Sequence, residues 1–250
     1  MKKLASAFLL LFIAAAINFA QTIVINPKKN VYTRKGKEVP KEKRTFTVTY
    51  PLFNGTMPVA AKKNLEKTIS YWKVFDTTLQ ENLTADYWLS KLSYEVNYNK
   101  NGVLAIALTM DGSGAYPDQS TKNLVIDLKT GERVKFADVF QIDSLDRFAP
   151  LVDAKLKAEN ADTIKSVEAD KSGDYTKEDK NSFKKQLEAL SFAPETFDEF
   201  SVSDKGVTIF YDAGFPHVIQ ALQPAGRYFF TWAEVKPFIK ADGLLGKFVR

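Results

Sequence analysis

The chain has 250 residues, 45% of them hydrophobic, which is enough to bury a sizeable core as one large or two smaller domains. It contains no cysteine, so disulfide staples, thiolate nucleophiles and cysteine-ligated zinc are excluded and the fold must rest on its packing. A formal net charge of +5 is modest for this length, and its distribution says more than its size.

Lys2 and Lys3 precede an apolar run from Leu4 to Ile17, followed by Asn18-Phe19-Ala20-Gln21. A basic start, a short apolar stretch and a small residue describe a secretory signal peptide over residues 1–20, with cleavage expected after Ala20. The run is too short to cross about 30 Å of hydrocarbon at about 1.5 Å per residue. No later stretch is long enough either, so the product is expected to be periplasmic or extracellular and not an integral membrane protein. Residues 21–44 then carry eight basic side chains, Lys28, Lys29, Arg34, Lys35, Lys37, Lys41, Lys43 and Arg44, against only Glu38 and Glu42. The segment reads as a solvated basic leader, with Ile23–Ile25 available as an edge strand, the alternative being an arm that touches anionic envelope polymer or nucleic acid. Only Tyr32 interleaves the charges, so nucleic acid is not an expected partner.

Phe46, Val48 and Tyr50 alternate as a strand that ends at Pro51. Leu65, Ile69, Trp72, Phe75, Leu79 and Leu83 recur at spacings of three and four and predict an amphipathic helix with Pro58 in its first turn. Tyr94, Val96 and Tyr98 form the next strand, and Lys100-Asn101-Gly102 a turn. Val103–Met110 is nearly all apolar, as a central strand is. Its large side chains, Leu104, Ile106, Leu108 and Met110, share one face, and the small ones opposite suit cover by a helix. A polar loop is expected over Asp111–Thr121, then a strand through Leu124, Ile126 and Leu128. The turn Lys129-Thr130-Gly131, with Gly131 at positive φ, leads to a short strand over Arg133–Phe136.

Beyond Phe140 the texture is helical. Leu145, Phe148, Val152 and Leu156 make one face, with Ser144 as N-cap and Pro150 disturbing the early turns. Residues 160–181 are polar enough to read as a mobile connection or a partly ordered excursion. Thr176 and Asp179 resemble a capping box before Phe183, Leu187 and Leu190. A hairpin over Phe200–Asp212, a Gly- and Pro-containing loop Ala213–Arg227, a strand Tyr228–Thr231 and a helix through Trp232, Val235 and Phe238 complete the order. Strands and helices come in blocks, which predicts an α+β fold: antiparallel sheets packed against amphipathic helices in two intimately joined subdomains.

This order of parts carries a resemblance. Tyr50-Pro51, the helix containing Asn64, the loop Gly114-Ala115-Tyr116-Pro117, Asp127-Leu128 with Thr130-Gly131, Ala137-Asp138-Val139-Phe140, the strands near Val207–Tyr211, and Trp232–Phe238 are its landmarks. Together they resemble the two-part extracytoplasmic domain of the anti-sigma factor RsiV, which also lies ahead of the catalytic domain in the peptidoglycan deacetylase PdaC. The resemblance implies a PdaC-like subdomain over residues 45–128, an RsiV-like subdomain over 129–240 and a tail over 241–250. It implies a non-catalytic envelope module that binds a cell-wall glycan or a protein such as lysozyme. Neither a sigma-binding segment nor a deacetylase domain is present, so neither activity carries over, and many members have His where this chain has Tyr116.

The residues themselves point to no catalyst. The single histidine, His217, has no strained Gly-x-Ser-x-Gly elbow to serve. Asp111, Asp118 and Asp127 lack the regular spacing of a calcium loop, and no Walker-type glycine loop occurs. No metal and no cofactor are expected. The alternative is an envelope glycan hydrolase using an Asp/Glu pair, whose separation sequence does not fix. For a binding module, the loops Asp111–Thr121 and Ala213–Arg227 are expected on one side of the molecule as a shallow cleft. Tyr116, Phe215 and His217 would give contact area there, and Asp111 and Asp118 would orient a polar partner. The competing expectation is that Tyr116 packs inward.

Overall fold

The structure is a computed structural model that describes residues 22–84, 88–114, 116–173 and 175–250. The leader assigned to residues 1–20 lies outside these. The molecule is α+β, with a six-stranded sheet and a three-stranded sheet packed against helices.

The large sheet contains β1 (Val24–Thr33), β2 (Thr45–Asn54), β3 (Trp88–Lys100), β4 (Val103–Ser113), β5 (Pro117–Asp127) and the two-residue β6 (Glu132–Arg133), side by side in that order. All neighbours are antiparallel except β2 and β3, which run parallel over only Thr47↔Lys91 and Val48↔Leu92. A parallel pair needs a long crossover, supplied by α1 (Val59–Thr68), α2 (Tyr71–Val74) and α3 (Leu79–Thr84). The periodic run read as one helix is thus three short ones. Asp76, at φ 47°, turns the chain between the second and third, and Thr78 and Glu81 exchange hydrogen bonds to start the last.

Because the parallel ladder is so short, polar side chains tether the β1–β2 hairpin. Asn99 at the end of β3 donates to the carbonyl of Ile23 (2.7 Å) and accepts from its amide (3.3 Å). Arg34 donates from its guanidinium to three carbonyls, those of Asn82 (2.8 Å), Lys43 (2.6 Å) and Leu89 (2.7 Å). Its side chain is only 2% exposed and lies over the rings of Phe46 and Trp88. Burial without a carboxylate partner lowers its pKa from the usual guanidinium range. The basic leader expected over residues 21–44 is therefore structural: it contributes a ten-residue strand and one of the largest fully buried side chains.

Strand β4 separates two cores. Leu104, Ile106 and Leu108 join Leu65, Tyr71, Leu92, Leu124 and Ile126 on the side of α1 and α2. Val103 and Ala105 join Val125, Phe148, Phe200, Val202 and Phe230 on the other. That small-residue face, read as a seat for a helix, is covered instead by the three-stranded sheet of β7 (Phe200–Val202), β8 (Gly206–Phe210) and β9 (Arg227–Thr231). The second sheet is backed in turn by α5 (Leu145–Ala169), whose Phe148 packs edge-on to Phe230 at 5.1 Å and stacks on Phe238 at 4.7 Å. The strand expected over Arg133–Phe136 is shorter and earlier, as β6, and Phe136 instead opens the single-turn α4 (Phe136–Val139) between β6 and α5.

Within the described part of 160–181, which leaves out residue 174, most positions are helical, closer to the partly ordered excursion than to a mobile connection. Helix α5 continues to Ala169 because Asn160 and Val167 are buried, and Asn160 donates to the carbonyl of Leu187 in α6 (Lys177–Ala189). Thr176 and Asp179 form the predicted capping box. Thr231 and Glu234 cap the short α7 (Trp232–Val235) in the same way. Among the described residues no helix is long and apolar enough to cross a membrane.

Candidate ligand groove

The exposed margin of β5 runs along two adjoining surface hollows. In an antiparallel strand, alternate residues aim their N–H and C=O to the same side. The Asn123 amide points away from β4, to Glu199 Oε1 at 2.6 Å, and the Val125 carbonyl likewise accepts from Val134 at 2.7 Å. By the same alternation the amides and carbonyls of Gln119 and Thr121 face outward. β6 covers only Ile126 and Asp127, and no described strand pairs with Gln119 or Thr121 on that side.

Two hollows of about 600 and 630 Å³ meet along this margin, sharing Lys122, Asn123, Asp198 and Glu199. The first lies toward α1 and β6 and is lined by Lys67, Lys73, Arg133 and Lys135 among others. The second lies toward the loop after β8 and is lined by Gln119, Ser120 and Thr121 on one wall and by Phe215, Gln223 and Arg227 on the other. At their junction Glu199 Oε1 accepts twice from Asn123, from its amide and from Nδ2 at 2.7 Å. Asn123 is buried, so these bonds satisfy a polar group that would otherwise be costly at the sheet margin.

Both walls are held in place. Asn64 and Thr68 of α1 donate to the carbonyls of Thr130 and Gly131 in the β5–β6 turn. The opposite wall is clasped by Gln223, which accepts from the Phe215 amide (2.9 Å) and donates to Asp212 (3.1 Å). Its base is tied to α5 through Glu159, which accepts from the Ala225 amide (2.6 Å) and the Tyr228 hydroxyl (3.0 Å). Burial, with Glu159 alongside, pushes the Tyr228 pKa upward, so this hydroxyl stays protonated and donates. Gly226, at φ 62°, has Tyr211 so close that a Cβ would lie 1.9 Å from its carbonyl oxygen, which accounts for glycine where the loop returns.

The sequence-predicted residues divide between this groove and its surroundings. Phe215 lines the second hollow. Of His217 only the backbone is described, at the start of a 3-10 turn, so its expected contact role lies outside the described side chains. The expected loop Asp111–Thr121 is instead the end of a long hairpin, with β4 and β5 paired out to Ser113↔Pro117. Asp111 accepts from Gln119 Nε2 at 2.6 Å across that pair, and Asp118 stands opposite Gly112. Neither these aspartates nor Tyr116 lines the hollow. Tyr116 is 63% exposed at the hairpin tip, against the competing expectation that it packs inward. Lys122, Asn123, Asp198 and Glu199 were missed. The available signal was the run of polar residues at 119, 121 and 123 in a strand whose next outward position, Val125, is apolar. Among the described residues no cluster of three or more His, Asp or Glu side chains is placed to hold a metal ion.

Comparison with known proteins finds no matching family model and no match among curated proteins. Solved structures do match. A DUF3298-family member from Bacteroides fragilis superposes with a TM-score of 0.57 at 11% identity, covering 92% of this chain and 98% of its own. A DUF3298-family protein from Pseudomonas aeruginosa PAO1 gives 0.56 at 12% identity, covering 88% and 96%. The chain shares their fold. At these identities the likeness concerns architecture and not residues, so the chemistry of the groove has to be argued from this chain.

Proposed function

We propose that this chain is an exported, non-catalytic binding module of the cell envelope whose ligand occupies the trough along β5. One observation carries the reading. The two joined hollows present separate hydrogen-bonding groups spread along a strand margin and held by both walls, which suits recognition over a length rather than reaction at a point. The fold shared with bacterial DUF3298 proteins supports an envelope setting, since DUF3298 is the domain shared with RsiV and PdaC. That relation favours a cell-wall glycan, an envelope protein or a protein such as lysozyme as the ligand. The basic amino-terminal stretch and short apolar run support export.

The test is to incubate protein lacking residues 1–20 with peptidoglycan sacculi, with purified lysozyme and with envelope extract, and then to analyse both partners. Capture of one of them with an unaltered muropeptide profile is expected. Release of soluble muropeptides, abolished by changing Asp198 or Glu199, would replace this reading with the hydrolase. Failure to retain any of the three would remove the envelope-binding reading.

A further inference from the structure

We infer that the trough binds an extended polypeptide segment by strand addition to the outer margin of β5, through the backbone of Gln119 and Thr121. The inference rests on the envelope-binding reading and narrows its ligand from envelope material in general to a protein partner's extended segment. Three observations support it. First, the outward N–H and C=O groups of Gln119 and Thr121 repeat every second residue, about 6.6 Å apart along a strand, an alternation of donor and acceptor that another strand's backbone matches. Second, the margin is already capped once by a substitute: Glu199 accepts from the Asn123 amide where a neighbouring strand would place a carbonyl. The ladder continues on the other side of that cap as the Val134 amide bonded to the Val125 carbonyl. The uncapped interval therefore lies between the hairpin tip and Asn123, within the second hollow of about 630 Å³.

The third observation is charge. Five basic side chains line the first hollow against three acidic ones, Glu132, Asp198 and Glu199, the last two of which are engaged by Arg133 and Asn123. Lys67, Lys73, Lys122 and Lys135 form no ion pair with a described residue. Arg133 in the same wall pairs with Asp198 at 3.7 Å. A segment extended along β5 and continuing past Glu199 would enter this lysine-lined end, so acidic residues at that end of the segment are favoured. The guarding devices that sheet margins usually carry are sparse here. Pro117 stands at the first position of the strand, and the interval from Asp118 to Asn123 contains no proline and a single lysine.

The experiment pans a displayed library of random nonapeptides on the parent protein, with Thr121→Pro as the counter-selection. The Thr121 amide faces away from β4, so proline removes the outward donor and crowds the margin without breaking the β4 ladder. Thr121→Val keeps the amide and loses only the hydroxyl contact to Thr109. Peptides enriched on the parent should bind Thr121→Val equally and Thr121→Pro at least tenfold more weakly, with acidic residues concentrated toward one end. If Thr121→Pro proves unfolded by its melt, the same peptides N-methylated at alternate residues should lose binding to the parent in one phase of methylation and keep it in the other. Peptides that bind parent and Thr121→Pro alike, or tolerate methylation in both phases, would overturn strand addition, as would a library that yields no binder. In those cases the sacculus and lysozyme captures show whether the envelope reading survives: retention of sacculi with unchanged affinity in Thr121→Pro would leave a glycan ligand and no peptide.

Discussion

The two margins of the large sheet are built on opposite plans. The β1 margin is long, ten residues, and it is guarded. Pro27, Lys28 and Lys29 stand in its middle, and its ends are tethered by Asn99 at Ile23 and by Arg34. The β5 margin is shorter, since β6, Val134 and Glu199 cover its second half, but the remaining interval is sparsely guarded and sits in a groove with fixed walls. The contrast separates two uses of the same backbone chemistry. On the strand-addition proposal, the β1 margin is protected against pairing, whereas the β5 margin keeps its donors and acceptors behind walls that admit a slender chain.

The largest effect is expected where the guarded margin is tethered. Arg34→Met keeps much of the side-chain volume but strands three carbonyls, two of them in fully buried hydrogen bonds. Unsatisfied buried acceptors cost about 1–3 kcal/mol each, so a loss of about 3 kcal/mol or more is expected. Urea unfolding of the variant should shift to a clearly lower midpoint. Arg34→Lys, with one donor group in place of a planar fork, should fall between. A midpoint equal to the parent would show that β1 and β2 are held by their ladder and apolar contacts and that the tether is dispensable.

The second effect is expected at the cover of the other margin. Gly131 combines positive φ (73°) with a packing restriction: a Cβ would stand 2.0 Å from the Ala61 carbonyl oxygen and 2.6 Å from the Leu65 amide nitrogen. Strain at positive φ alone costs about 1–2 kcal/mol, and the clash with the backbone of α1 adds to it. Gly102 is the control, with nearly the same φ (72°) and nothing within 4 Å of its Cβ position. Gly131→Ala should therefore lower the thermal midpoint well beyond Gly102→Ala. Because Asn64 and Thr68 hold this turn, Gly131→Ala should also speed amide exchange in β6. Equal midpoints for the two variants would mean that α1 yields to the methyl group without cost.

These elements were unequally legible in the sequence. Gly131 was readable as a positive-φ turn because Lys129-Thr130-Gly131 follows a clean alternating strand, but its contact with α1 was not, since that depends on how the helix crosses the sheet. The two faces of β4 were readable from Leu104, Ile106 and Leu108 against Val103, Ala105 and Ala107. What covers the smaller face was hidden because small residues accept a sheet as readily as a helix. Arg34 looked like one more charge in a basic leader, and nothing local shows that three carbonyls from separate elements meet around it. The groove suffered most. One of its walls is readable through the loop Ala213–Arg227 with Phe215, yet Asp111–Thr121 reads as a loop because polar residues dominate it. In the structure that polarity belongs to the exposed end of a hairpin, where side chains need not be apolar to be in a strand.

The smallest change in stability, and the most direct test of the guard, is expected at Pro27. Pro27 stands opposite Pro51, and neither has an amide hydrogen to exchange, so both fit a pair whose backbone groups face away from each other. The alternation agrees: the Arg34 amide bonds the Arg44 carbonyl, which places even-numbered residues of β1 toward β2 and odd-numbered ones, Pro27 and Lys29 among them, toward solvent. Proline at 27 thus deletes a donor from the middle of a margin that also exposes Val24 (57%) and Val31 (62%). Pro27→Val restores that donor without touching the ladder to β2, so the unfolding free energy should stay within about 0.5 kcal/mol of the parent. Self-association should rise instead, most clearly when Lys29→Thr is added, and sedimentation velocity at increasing concentration would register it as a larger species absent from the parent. If the double variant sediments as the parent does, the proline and lysine are incidental to β1, and the difference between the margins rests on the tethers and the groove walls alone.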